Sequence, residues 1–169
     1  MGFKIDYTYC PQCRRPLAPL DGHPHCSACD ITIYDNVAVG AGVLLVRDNK
    51  VLLVRRGIDP YKGSYDIVGG FVNPGETPEQ AAIREAKEET GLDVEIVELL
   101  GTYSDRYGEG AHTLGLHYLA KIVGGIEQAG DDAASLEWVE VTHIPEEAFT
   151  AGFKNTADTL RDLQKRYHA

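Results

Sequence analysis

The sequence predicts an α/β domain preceded by a small module held together by metal. Three observations carry that prediction. Val- and Leu-rich strand signals alternate with helix signals from residue 35 onward, and all four cysteines fall within the first 29 residues as two Cys-x2-Cys pairs. At 43% hydrophobic and 25% charged over 169 residues, the chain can bury a core of one ordinary domain, or of one domain plus an appendage. The formal net charge is 16 − 26 = −10. That balance argues against general binding to nucleic acid, which needs Lys and Arg against phosphate. It suits metal cations, or a phosphorylated ligand in a metal-neutralised site.

We place the boundary at Tyr34, giving modules 1–34 and 35–169. The first holds four of the eight prolines and little periodicity, and Lys4, Arg14 and Arg15 balance Asp6, Asp21 and Asp30. Such a piece cannot fold on apolar burial alone. The longest apolar run, Val37 to Val46, is ten residues, about half of a membrane span. The N-terminus has no apolar signal core, so the expected location is cytoplasmic, where thiols stay reduced. Cys10, Cys13, Cys26 and Cys29 are then expected to form a closed four-thiolate Zn²⁺ site of structural role; disulfides are the other reading. His23 and His25 lie beside Cys26 but are not needed as ligands.

In the second module, Val37–Val46 and Val51–Arg55 flank Asp48-Asn49 and read as a β-hairpin. A turn-rich stretch follows from Gly57 to Ser64. Tyr65–Val68 and Phe71–Val72 read as short strands broken by Gly69-Gly70. Thr77-Pro78-Glu79-Gln80 announces a helix: Thr77 as N-cap, Pro78 at the first helical position, Gln80 closing a capping box. Gly91 ends it. Val94–Tyr103, Thr113–Val123 and Ser135–Val141 read as strands, with a loop over Ser104–His112. Asn155–Tyr167 reads as an amphipathic helix with Leu160 and Leu163 inward.

The chemistry concentrates in Gly70-x5-Glu76-x7-Arg84-Glu85-Ala86-x-Glu88-Glu89-x-Gly91-Leu92. At about 100° per residue, Glu85, Glu88 and Glu89 share one helical stripe, with Ile83 and Thr90 opposite, Ala86 on their flank, and this side able to pack on a sheet. Like charges so spaced repel, and Arg84 and Lys87 cannot neutralise all three. A hard divalent cation such as Mg²⁺ can. Glu76 can fold back toward Arg84, and the bare Gly69-Gly70 backbone lets a carbonyl approach the same ion. A Glu-rich stripe is ordinarily a solvated face. The fixed spacing of seven residue types outweighs that reading here.

This stretch resembles the Nudix box, the signature of Nudix hydrolases, at every fixed position. Gly63-Ser64-Tyr65-Asp66-Ile67-Val68-Gly69-Gly70 is similar to the segment that leads into it, with Tyr65 in place of the usual Trp and Val68 in place of the usual Pro. The resemblance spans Val37 to about Val141. It implies an α/β/α sandwich with a mixed sheet, and metal-dependent hydrolysis of a nucleoside diphosphate linked to another moiety. By the same resemblance Glu85, Glu88, Glu89 and the Gly69 carbonyl would hold Mg²⁺ or Mn²⁺, with Glu88 alternatively activating water. Arg84 and Glu76 would orient the carboxylates. Glu88, Glu109 and Asp132 are the candidate general bases.

A zinc ribbon ahead of a Nudix box resembles the NADH pyrophosphatase group. The likeness stops at Gly101–Gly108, which lacks that group's Ser-Gln-Pro-Trp-type motif. The ribbon's preferred roles are folding, a homodimer contact or edging the active site. Tyr107 stands 16 residues beyond Gly91, where ADP-ribose-cleaving members tend to carry Pro; a Tyr there resembles dinucleoside-polyphosphate hydrolases, and its ring can stack on adenine. Arg55, Arg56, Lys62 and Arg106 are candidate phosphate contacts, Arg55 and Arg56 pointing to opposite faces of a strand. His112 and His117, an odd number apart, also point to opposite faces, and Trp138 belongs to the core. The expected partner is a small nucleotide of ADP-ribose type. The alternatives are a dinucleoside-polyphosphate hydrolase and a non-catalytic nucleotide-sensing Nudix domain.

Overall fold

The computed structural model describes residues 7–107, 111–130 and 132–167. Near the N-terminus, β1 (Ala18–Leu20), β2 (His23–Cys26) and β3 (Ile31–Thr32) form a three-stranded antiparallel sheet. Its apolar interior is almost all sulfur: Cys10 and Cys26 are buried, while β1 is fully exposed. The four cysteines are reduced, and their sulfurs all lie within 4.8 Å of one another, as a single tetrahedral ion requires.

The remaining strands are β4 (Ala38–Arg47), β5 (Lys50–Arg56), β6 (Tyr65–Asp66), β7 (Val68–Phe71), β8 (Leu92–Tyr107), β9 (Ala111–Gly125) and β10 (Ala133–Glu140). They form one seven-stranded sheet ordered β10-β5-β4-β9-β8. β4 and β9 run parallel and the other pairs antiparallel, so the sheet is mixed. The β4–β5 hairpin turns at Asp48-Asn49, both left-handed (φ 51° and 61°) as a type I′ turn requires. The hairpin ladder covers only Val46–Arg47 against Lys50–Val51. Beyond it the strands pair with other partners, β7 with β4 and β6 with β5.

β4 and β5 are buried on both faces, which explains their unbroken Val/Leu runs. Ala41, Val43, Leu45, Leu52 and Val54 pack under α1 (Pro78–Thr90), whose Ala81, Ala82 and Ala86 let the helix approach closely. Leu44, Val51 and Leu53 face the other way, against α2 (Glu147–Thr150) and α3 (Lys154–Tyr167), where Ala148, Leu160 and Leu163 are buried. The result is the α/β/α sandwich that the resemblance implied. Among the described residues, no helix is long and apolar enough to cross a membrane.

Three details differ from expectation. Gly69-Gly70 does not break a strand; it lies inside β7, opposite Ala41 and Gly42. Ser104–Tyr107 is not loop, because β8 continues through Tyr107 and pairs it with Ala111. Ile83 is 39% exposed. Thr90 and Ala86 are buried as expected, together with Ala81, Ala82 and Glu89, whereas Ile83 lies about 100° round from Ala82.

The caps of α1 agree with the sequence. Thr77 accepts from Gln80 N–H, the Gln80 side chain accepts from Thr77 N–H, and Gly91 ends the helix at φ 70°. A Cβ at Gly91 would overlap the Ile126 carbonyl oxygen. Gly91→Ala therefore meets both a left-handed backbone and a clash, and is expected to cost about 1–3 kcal/mol. Thermal denaturation against the parent chain checks this; an unchanged Tm would refute it.

Candidate active site

The box turns Glu85 and Glu89 into the groove between α1 and β7 and leaves Glu88 at its open edge. Glu89 is only 8% exposed, and its Oε2 accepts from Gly69 N–H at 2.9 Å. Burial first, then the neighbouring charges of Asp66 and Glu85, push its carboxyl up to about 8. The Glu85 carboxylate occupies the space above Gly70 that a Cβ would fill, so a side chain at Gly70 would displace it. Glu88 is the most open of the three, with 45% of its side chain exposed.

Arg84 organises this ridge. Its guanidinium donates to Glu76 (2.8 and 3.0 Å), Glu85 (2.7 Å), Glu88 (3.0 Å) and the Phe71 carbonyl (3.0 Å). That contact holds the Glu76 carboxyl down at about 2. The expected Glu76–Arg84 pair is thus present and bidentate. The cysteines are the one group of three or more His, Cys, Asp or Glu, among the described residues, with ligand atoms within 4.8 Å of one another. The acidic oxygens are more widely set, with Arg84 standing among them. Their chemistry fits a hard divalent cation: carboxylate oxygens, one of them held up in pKa by burial and like charge, beside a glycine-lined backbone.

Beside β7, an open cleft with a cavity volume of about 100 Å³ lies on the α3 face. Its floor is peptide backbone: Gly40 and Gly42 of β4, Gly69 and Gly70 of β7, and Gly115 of β9 all line it. A Cβ at Gly42 would come within 2.8 Å of the Val68 carbonyl. Phe71, Tyr107 and Phe153 edge the opening, with Tyr107 stacked on Phe153 (5.5 Å, 20°) and set edge-on to Phe71 (5.3 Å).

The structure separates the expected substrate contacts. Arg56 lines the cleft, its guanidinium 5.0 Å from the Phe153 ring and donating to Asp66 (3.0 Å). Arg55, one residue earlier, points to the other face, over the Tyr65 ring and bonded to Glu137 and Glu147. Tyr107 lines the cleft, but Arg106, its neighbour on β8, is exposed and outside it. Lys62 is exposed too. His112 is exposed and His117 buried, as their odd spacing predicts. Trp138 is only partly buried, beneath Arg47 and bonded to Glu127. Asp132 is exposed, its backbone carbonyl accepting from Gly57 N–H. Glu109 lies outside the described residues.

Sequence reasoning left four cleft residues without a role: Asp66, His117, Phe153 and Asn155. Asp66 is held by Arg56, Thr156 and Ile67 N–H, and burial raises its carboxyl despite them. Its place in the lead-in segment was the available signal. Thr113, Gly115 and His117 alternate along β9, and that period of two was the signal for His117.

A mixed sheet between helices, with this acidic box set against the same Gly69-Gly70 backbone that lines the cleft, defines a Nudix pyrophosphohydrolase. The NUDIX domain model matches residues 37–161, and the chain belongs to the NUDIX family. It is 41% identical to an ADP-ribose pyrophosphatase of Methanocaldococcus jannaschii over 119 residues, covering 69% of this chain and 70% of that one. It is 30% identical over 145 residues to the NAD-capped RNA hydrolase NudC of Pseudomonas fluorescens, covering 83% of this chain but 50% of NudC. The chain thus spans about half the length of that relative. A crystal structure of a NUDIX hydrolase from Nitrosomonas europaea superposes with TM-score 0.80 at 28% identity, over 96% of this chain and 93% of that one.

Proposed function

We propose that the chain hydrolyses the pyrophosphate bond of a nucleoside diphosphate derivative of ADP-ribose type. The observation that carries this reading is the junction of two features at Gly69-Gly70: the carboxylate groove of α1 and an open, aromatic-edged cleft lined by the same two glycines. The similarity to the archaeal ADP-ribose pyrophosphatase supports the choice of substrate class.

Glu85, Glu88, Glu89 and the Gly69 carbonyl would hold Mg²⁺ or Mn²⁺. Bound there, such a cation supplies charge neutralisation of the diphosphate and a more acidic water. The chain's own residues then divide the remaining work. Arg84 keeps Glu85 and Glu88 aligned, with Glu76 as its fixed counter-charge. Glu88 has the exposure a proton acceptor for the attacking water needs. Arg56 presents a cation to the phosphates from the cleft wall. A water oxygen bonds to one phosphorus, the bridging P–O bond breaks, and the departing phosphate leaves with the bridging oxygen. Cys10, Cys13, Cys26 and Cys29 hold Zn²⁺ as a structural ion, making residues 1–34 a ribbon ahead of the hydrolase module of 35–169.

The test is a product analysis with Mg²⁺ or Mn²⁺ across ADP-ribose, NADH, diadenosine polyphosphates and nucleoside triphosphates. ADP-ribose is expected to turn over best, giving AMP and ribose 5-phosphate. A preference for diadenosine polyphosphates would overturn the substrate class. Absence of turnover on the whole panel would overturn the reaction.

A further inference from the structure

We propose that His117 is a specificity-determining residue whose Nε2 accepts a hydrogen bond from the 6-amino group of an adenine base seated in the cleft. The assignment rests on the nucleotide reading above, and deepens it by naming the group that reads the adenine base.

The proton positions follow from the partners. Thr159 Oγ1 lies 2.6 Å from His117 Nδ1 and 2.6 Å from the Asn155 carbonyl. The carbonyl can only accept, so the single Thr159 hydroxyl proton goes to it. His117 Nδ1 must then carry a hydrogen and donate to Thr159. Nε2 is left as a bare acceptor. Burial supports the neutral ring, holding its pKa down at about 4. The ring is fixed as well as neutral, stacked on Tyr103 at 5.0 Å and 25°.

The acceptor faces the cleft. His117 is 5% exposed, yet it lines the cleft wall. A Cβ at Gly115 would come within 2.6 Å of Nε2, so only glycine leaves this nitrogen uncovered. Nε2 has no hydrogen-bond partner among the described residues. No described side-chain N or O atom is both sealed and unpartnered, so Nε2 reaches the cleft's open space. An acceptor left so placed demands a donor from whatever binds.

The bare acceptor selects among bases seated in the same pose. Glycine backbone lines the cleft's floor and the rings of Phe71, Tyr107 and Phe153 edge it, surfaces on which a planar heterocycle can stack. Adenine carries an N–H donor at its ring edge, the 6-amino group. In that pose hypoxanthine places its O6 against Nε2, lone pair against lone pair, with its N1–H turned away.

Binding needs no turnover, so AMP, IMP and purine riboside 5′-monophosphate are titrated calorimetrically against the intact chain. AMP is expected to bind at least about tenfold tighter than IMP, with purine riboside 5′-monophosphate between them. His117→Phe is expected to level the three by weakening AMP alone. Nitrogen-15 NMR adds a readout that a purely structural role would not move: a bare Nε2 resonance that shifts on adding AMP and not on adding IMP. Equal affinities in the parent chain, or a preference that survives His117→Phe, would overturn the assignment. If the AMP preference holds while ADP-ribose is not cleaved, the pyrophosphohydrolase reading fails and the base assignment stands.

Discussion

Glu89→Gln is expected to lower kcat for pyrophosphate hydrolysis by on the order of 10³-fold while leaving the fold intact. The side-chain oxygen that accepts from Gly69 N–H survives in the amide, so the helix stays docked on β7. What disappears is the negative charge at the inner end of the acidic ridge, where a cation must be gripped. Glu95→Gln, at an exposed β8 position paired with Lys121, is the control expected to change nothing. Steady-state kinetics with saturating Mg²⁺ decide the matter, and comparable turnover in both variants would remove Glu89 from the site.

The same residue gives a pH signature. Its carboxyl is raised from an ordinary 4.5 to about 8 in the folded chain. Between those values the native state holds a proton that the unfolded chain releases. The contribution to stability is therefore full below about pH 4.5, declines as pH rises, and is lost above about pH 8. In magnesium-free buffer, the Tm of the parent chain relative to Glu89→Gln should fall across that window. Added Mg²⁺ should flatten the difference, since the ion favours the charged carboxylate. A difference that grows with pH would contradict the burial of this carboxylate.

The second large effect concerns the N-terminal sheet. Cys26→Ser is expected to abolish stoichiometric zinc and to unfold residues 7–34, leaving the seven-stranded sheet in place. Strands of three, four and two residues cannot hold themselves together, and the buried interior there is cysteine sulfur. A four-thiolate zinc site supplies roughly 10–16 kcal/mol of apparent binding free energy in such modules. Metal analysis with hydrogen exchange over His23–Thr32 reads both outcomes. Protection that persists in the variant would show that something other than the ion holds the sheet.

The candidate site was unevenly legible in the sequence. Glu76 and Arg84 are eight residues apart across a capped helix start, so local geometry brought them together as expected. The Ser104–His112 stretch reads as loop, with Gly108 and Gly110 within it. Its ladder is set by pairing, with Tyr107 opposite Ala111, and this places Tyr107 at the cleft and Arg106 outside it. Arg55 and Arg56 were separable by strand alternation, but which of them faced the nucleotide depended on what covered each side of β5. The acids of α2 and β10 took Arg55.

The amino-acid sequence by itself determined the features whose causes are local. These are the caps of α1, the type I′ turn at Asp48-Asn49, the cysteine pairs and the spacing of the acidic box, each written within a few turns of one element. Only the tertiary structure decided that Glu89 is buried, that Arg56 rather than Arg55 meets the cleft, and that His117 stands behind a glycine with one nitrogen bare. Those outcomes depend on the parallel register of β4 with β9 and on the docking of α3. Registers between strands some 75 residues apart are set by packing, which no local pattern records.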